Sequence, residues 1–150
     1  MATSTLIQFL APGEASDTSH RRTVETFIAN GTIAALDVVG SDITKTGADK
    51  ALFVIQAANV ATGNGLAVGV ALNAASAGQP VRVVVSGYVA DVNCAGGTIA
   101  AGAALSAGKT APGQVDTAAA GDLAGCFGVA LEAKSATTAN RVAIMVKQQF

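Results

Sequence analysis

The chain has few of the large aromatic side chains and charges that globular proteins usually carry. It has no Trp, one Tyr and five Phe among its 150 residues, and 13% of its residues are charged. Its hydrophobic fraction is nevertheless 51%, much of it Ala. A buried Ala removes about one methyl group from water, whereas a buried Leu or Phe contributes about 1.5–3 kcal/mol. We therefore expect the chain to bury further surface against copies of itself.

The shortage of charge also excludes classes of partner. The net charge is −1 and the only basic cluster is His20-Arg21-Arg22, so nucleic acid is not an expected partner. The apolar run over residues 6–11 is too short for a signal peptide or a membrane span. We expect no membrane association.

Cysteine and histidine are scarce, which bears on catalysis and metal binding. Cys94 and Cys126 show neither a disulfide framework nor metal-ligand spacing, and they are expected to be small buried thiols in a reducing compartment. His20 has only close sequence neighbours as partners, whereas catalytic triads assemble from distant positions. The carboxylates are scattered and form no calcium-loop motif. The sequence predicts no enzyme activity, no cofactor, no metal and no small-molecule substrate.

The stretch AALSAGKT, residues 103–110, fits the phosphate-binding loop pattern if Ala is allowed at its first position. That loop needs a buried strand before it and a helix beginning at the Lys-Thr pair. Here a Gly-rich segment precedes the stretch, and Ala111-Pro112-Gly113 follows it, which is typical of a turn. The sequence predicts a Gly-Lys turn between short strands.

Short β-branched runs separated by glycine predict an all-β fold. The predicted strands lie at residues 32–39, 52–56, 81–85 and 142–146. The 17 glycines suit tight turns between such strands. Ala-rich segments have high helix propensity, but they lack a sustained helical period. At most one short helical turn is expected, near residues 17–25.

An internal repeat relates two segments of the chain. Residues 69–85 and 128–144 align without gaps and are identical at nine of seventeen positions. Each segment is predicted to form a strand, a small-residue turn and a second strand. Two such hairpins imply a small β-barrel or sandwich. The expected organisation is an N-terminal arm and loop over residues 1–30 and a single β domain over residues 31–150.

Three short apolar segments follow one another along the second half of the chain. They are GQPVRVVVSGYV at residues 78–89, IAAGAAL at residues 99–105, and FGVALEAKS at residues 127–135 with VAIMV at residues 142–146. In this order they resemble the capsid cement, or head decoration, proteins of tailed bacteriophages. The shared patterns are G-x-x-V-x-V-x-x-x-G-x-V, I-x-x-G-x-x-L and G-x-A-L-x-A.

The resemblance implies a homotrimer that binds the outer surface of the major capsid protein lattice and stabilises the head. It implies two partners, the major capsid protein and further copies of the chain. The expected location is the virion, after a period in the host cytoplasm during assembly. A phage tail or fibre module, or an adhesin-like β structural module, is the alternative that the composition leaves open.

The N-terminal segment carries the residues expected to contact the capsid or a neighbouring subunit. The segment over residues 3–11 has its apolar part at residues 5–10 and stops before Pro12, so it is expected either to add a strand to a neighbour's sheet or to form an edge strand of the same subunit. Arginine suits ion pairs at interfaces. The predicted contact residues are Leu6, Ile7, Phe9, His20, Arg21 and Arg22.

Overall fold

The described part of the chain is almost entirely β-structure. The computed structural model describes residues 22–57, 67–119, 126–135 and 141–147. Within them lie nine strands and a short 3-10 helix, Gly47–Ala51. The strands are β1 (Thr23–Ala29), β2 (Val38–Ser41), β3 (Phe53–Gln56), β4 (Ala67–Ala71), β5 (Pro80–Asn93), β6 (Ala104–Ala107), β7 (Val115–Thr117), β8 (Cys126–Ala130) and β9 (Arg141–Val146).

The first five strands close into a small barrel, which confirms the predicted all-β fold. β1 pairs with β3 in parallel and with the first half of β5 in antiparallel. The order β1-β3-β2-β4-β5 therefore returns to β1. The core of this first barrel is made of short side chains, because only these fill so narrow an interior. Its members are Ala29, Ile33, Val39, Val54, Ala71, Ala75, Val81, Val83 and Val85.

The remaining strands repeat this arrangement as a second barrel. The second half of β5 pairs with β9, which is followed in the sheet by β8, β6 and β7. A parallel bridge between Cys94 and Val115 connects β7 back to the end of β5. β5 is 14 residues long because it serves both barrels in turn. The core here includes Leu105, Phe127 and Ile144.

Equivalent strand pairs in the two barrels share their register and their bulge. In the first barrel, β2 and β4 have two successive pairs of facing residues, after which the register shifts. In the second barrel, β6 and β8 show the same two pairs followed by the same shift. The matching pairs are Val38↔Val70 with Ala104↔Val129, and Val39↔Gly69 with Leu105↔Gly128. The correspondence also includes β3 and β7, which face β2 and β6 in the same way. The chain is therefore a structural duplication.

The repeat detected in the sequence covers only one hairpin of each barrel, and its second strand is out of register by two residues. Val70 faces Val84 in the first barrel, whereas Val129 faces Met145 in the second. The ungapped alignment equates Val84 with Ala143 instead. The cause is loop length, since eight residues separate β4 from β5 and ten separate β8 from β9.

Two local predictions are wrong. The strand predicted over residues 32–39 is interrupted, because Leu36 has a φ of 70° that a strand does not allow; only Ile33 forms a bridge before β2 begins at Val38. The helical turn near residues 17–25 is wrong in its described part, because β1 begins at Thr23. Of the predicted arm and loop over residues 1–30, the structure describes residues 22–30.

Candidate functional site

The described residues present few groupings of reactive side chains. These residues contain no group of three or more His, Cys, Asp and Glu side chains that could hold a metal ion. Residues 108–110 form a turn between β6 and β7, as predicted. The backbone N–H and hydroxyl of Thr110 donate to the carboxylate of Asp116 at 2.7 and 2.9 Å. In the part of the chain that is described, no helix is long and apolar enough to cross a membrane.

Of the six predicted contact residues, the structure describes only Arg22. It lies half-buried directly before β1. Leu6, Ile7, Phe9, His20 and Arg21 lie outside the described residues, as does the segment 3–11. Their contacts stay predictions.

The carboxylate of Asp37 joins the two barrels. It is only 4% exposed and accepts hydrogen bonds from the side-chain amide of Gln56 at 2.6 Å and that of Asn93 at 2.8 Å. The backbone N–H of Ala34 donates a third, at 2.9 Å. Gln56 ends β3 in the first barrel, whereas Asn93 ends the β5 segment of the second barrel. The buried charge is thus stabilised by donors from both barrels.

We expect the Asp37→Ala variant to lose about 2–3 kcal/mol in its free energy of unfolding, because two half-buried side-chain amides and a backbone N–H lose their acceptor. The matched control is Asp49→Ala, since Asp49 lies exposed in the 3-10 helix; it should change stability by less than about 0.5 kcal/mol. Urea unfolding measures both. Equal midpoints for the two variants would show that Asp37 does not hold the junction.

A second carboxylate, Asp42, anchors the connection between β2 and β3. The hydroxyl and backbone N–H of Thr44 donate to it at 2.7 and 2.9 Å. These bonds lower the pKa of Asp42, and a bond from the Asn30 amide adds to the effect while desolvation opposes it. The carboxylate is therefore ionised at neutral pH, and it fixes the start of the loop that leads to the 3-10 helix.

A buried lysine closes one end of the second barrel. Lys134 is 4% exposed, and its Nζ donates to the carbonyl oxygens of Ala95 at 2.6 Å and Gly97 at 3.4 Å. Burial raises the pKa of the nearby Cys94 thiol, and Lys134 partly opposes that shift. Cys94 is buried and Cys126 half-buried, and these two described cysteines form no disulfide. Lys134 therefore serves the fold by holding the segment after β5.

The exposed large apolar side chains among the described residues lie on two outer surfaces. Ile43 is 67% exposed and Leu52 42% exposed, both on the β2–β3 connection, and Leu131 is 46% exposed directly after β8. The sequence analysis placed the contacts elsewhere and missed these residues. One signal was available, because the repeat aligns Leu131 with Leu72. These surfaces are the candidate interaction sites.

The architecture defines a class, namely all-β proteins built from two tandem barrels that share one long strand. No protein-family model and no curated protein matches the chain. Among solved structures it is similar to the head fibre gp8.5 N base of bacteriophage phi29, with a TM-score of 0.55. The two are 18% identical, and the likeness covers 85% of this chain and 95% of that one. At this identity the comparison shows a shared fold.

Proposed function

We propose that the chain is a structural protein of a phage head, which binds the outer surface of the major capsid protein lattice as a homotrimer and stabilises the head. The observation that carries the proposal is the shared fold, which covers 95% of the head fibre base. It favours a head protein over a tail or adhesin module. The resemblance to cement proteins over the second half of the chain points the same way.

The physical basis of such a role is multivalent contact. A surface of small, mostly uncharged residues suits broad, close packing, but each contact of this kind is weak. Linking several weak contacts in one oligomer raises the overall affinity, because they must be lost together. A homotrimer of this chain on the capsid lattice would stabilise the head without any catalytic group.

A head-fibre base is the second candidate, favoured by the same comparison. In both candidates the two barrels bind the head. They differ in consequence, since a cement protein raises the stability of the head and a fibre base carries a further structure outward. The resistance of heads to heat therefore separates the two.

The test uses the purified full chain and expanded heads of the phage that encodes it, prepared without this protein. We expect the chain to co-sediment with expanded heads to a saturating level, and heads carrying it to release DNA at a higher temperature. Heads that have not expanded serve as the control. If the chain stays at the top of the gradient with both kinds of head, the proposal is wrong. Binding without added heat resistance selects the fibre base.

A further inference from the structure

Seven apolar side chains of the first barrel, Val24 and Ala67 among them, pack against the second barrel rather than inside their own. They belong to the same cluster as the core of the second barrel, and four of them are fully buried. We call the other five of them the covered face. Its members are Val38, Ala57, Val70, Leu72 and Val84. The first barrel thus depends on the second to remove these side chains from water.

The second barrel carries the same five positions without an equivalent cover among the described residues. Four of the equivalences follow from the shared strand register. The fifth follows from matching hydrogen bonds, since Ala57 N donates to the carbonyl oxygen of Val38 and Ala118 N donates to that of Ala104. The equivalent residues are Ala104, Ala118, Val129, Leu131 and Met145. All five are apolar, yet all are partly exposed. We call this set the open face.

Within the chain, the turn between β6 and β7 meets the covered face. The carbonyl oxygen of Gly113 accepts from Val38 N at 2.7 Å, and Gly113 N donates to Ala57 O at 3.0 Å. A Cβ at position 113 would lie 2.9 Å from Cγ of Asp37 and 3.1 Å from Nε2 of Gln56. Glycine is required at this contact because a φ of 74° strains any other residue, and because the Asp37 and Gln56 side chains leave no space for a Cβ.

The first barrel has an equivalent connection, between β2 and β3. In the β2–β3 connection, the backbone N–H of Asp42 donates to the carbonyl oxygen of Phe53. In the β6–β7 connection, the backbone N–H of Gly108 donates in the same way to the carbonyl oxygen of Gln114. Leu52 therefore occupies the place of Gly113, and it is exposed together with Ile43.

The side chains of the open face and of the β2–β3 connection are complementary in size. On the open face, Ala103 stands where the covered face has Asp37, and Thr117 stands where it has Gln56. These smaller side chains leave space for a leucine at the position where the covered face accepts only glycine. A contact with Leu52 would also bury two of the exposed apolar side chains, Leu52 and Leu131.

We propose that the open face of one copy binds the β2–β3 connection of a second copy, which repeats between chains the contact that joins the barrels within a chain. Such a contact is head-to-tail, and it closes into a ring if the rotation between copies permits. The inference deepens the proposed function, since the closed ring of three copies rests on it. The contact itself does not require the head-binding role.

Two single substitutions test the contact, Leu52→Asp on the connection and Leu131→Asp on the open face. Each is expected to reduce the native mass to that of a single chain, 14.6 kDa. Both side chains are exposed, so unchanged melting curves should show that the variants fold. Ser76→Asp, at an exposed position on neither surface, is the matched control and should assemble like the original protein.

Mixing the two variants gives the sharper result. Each retains one intact surface, so an equimolar mixture should form one-to-one dimers of about 29 kDa, twice the 14.6 kDa chain, and nothing larger. The inference is overturned if the original protein is monomeric, if either variant still assembles, or if the mixture stays monomeric. Head co-sedimentation of the original protein is scored separately, so the failure of this contact and that of the proposed function are distinguishable.

Discussion

Replacing Gly69 with Ala is expected to lower the free energy of unfolding by about 3 kcal/mol. A Cβ at this position would lie 2.0 Å from the carbonyl oxygen of Val84 and 2.8 Å from its carbonyl carbon. Both are backbone atoms of β5, which pairs with β4 at Val84. The strand cannot move aside without disrupting the pairing on which the first barrel depends.

Two other glycines, with less crowded surroundings, serve as controls for this substitution. Gly128 is the equivalent position in the second barrel, where a Cβ would lie 2.8 Å from the carbonyl oxygen of Met145, so Gly128→Ala should lose about 1–2 kcal/mol. A Cβ at Gly96 would meet nothing within 4 Å, and Gly96→Ala should leave stability unchanged or raise it by about 0.4–1 kcal/mol. Urea midpoints in any other order would contradict the close approach of β4 and β5.

Phe127→Ala is the second variant with a large expected effect, a loss of about 3–5 kcal/mol. Phe127 is 1% exposed and is the largest fully buried side chain among the described residues. The other buried positions in its cluster carry Val, Ile, Leu, Ala and Cys, which cannot fill the cavity that its removal leaves. Because small domains are stabilised by only about 5–15 kcal/mol, this single change removes much of the margin.

The matched control is Val68→Ala in the first barrel. Val68 holds the equivalent place in β4 but is only half-buried, so the loss should be about 1 kcal/mol. Thermal unfolding of both variants gives the comparison. Equal losses would mean that Phe127 does not dominate the packing of the second barrel.

The sequence predicts the fold class well, because β-branched residues decide it locally. The runs at residues 81–85 and 142–146 lie within β5 and β9, where consecutive buried positions favour Val and Ile. The interruption at Leu36 was not predictable, since a φ of 70° at a non-glycine residue leaves no mark in composition. In the second barrel the equivalent residue is Gly102, with a φ of 81°, and a glycine there is the usual sign of a turn.

The full duplication was hidden for a related reason. The two barrels carry different residues at equivalent positions, since Val68 corresponds to Phe127 and Ala75 corresponds to Lys134. Connections of different length then shift the sequence alignment of the other strands. Only the hairpin with identical residues was detectable, and the sharing of β5 between two barrels was not.

The candidate site depends on that hidden information. The repeat in the sequence already pairs Leu131 with Leu72, but only the structure shows that Leu72 packs against the core of the second barrel while Leu131 is exposed. The contacts predicted from the sequence therefore lie in the N-terminal segment, which has apolar residues followed by a proline and a basic cluster.

The native mass of the purified protein in solution, measured over a range of concentrations, decides whether the chain is a self-assembling structural protein. Three chains of 14.6 kDa give a particle of about 44 kDa, and a stable species of that mass is the predicted result. A folded protein that remains a 14.6 kDa monomer at every concentration would contradict it, because the open face and the exposed β2–β3 connection would then have no partner copy to bind.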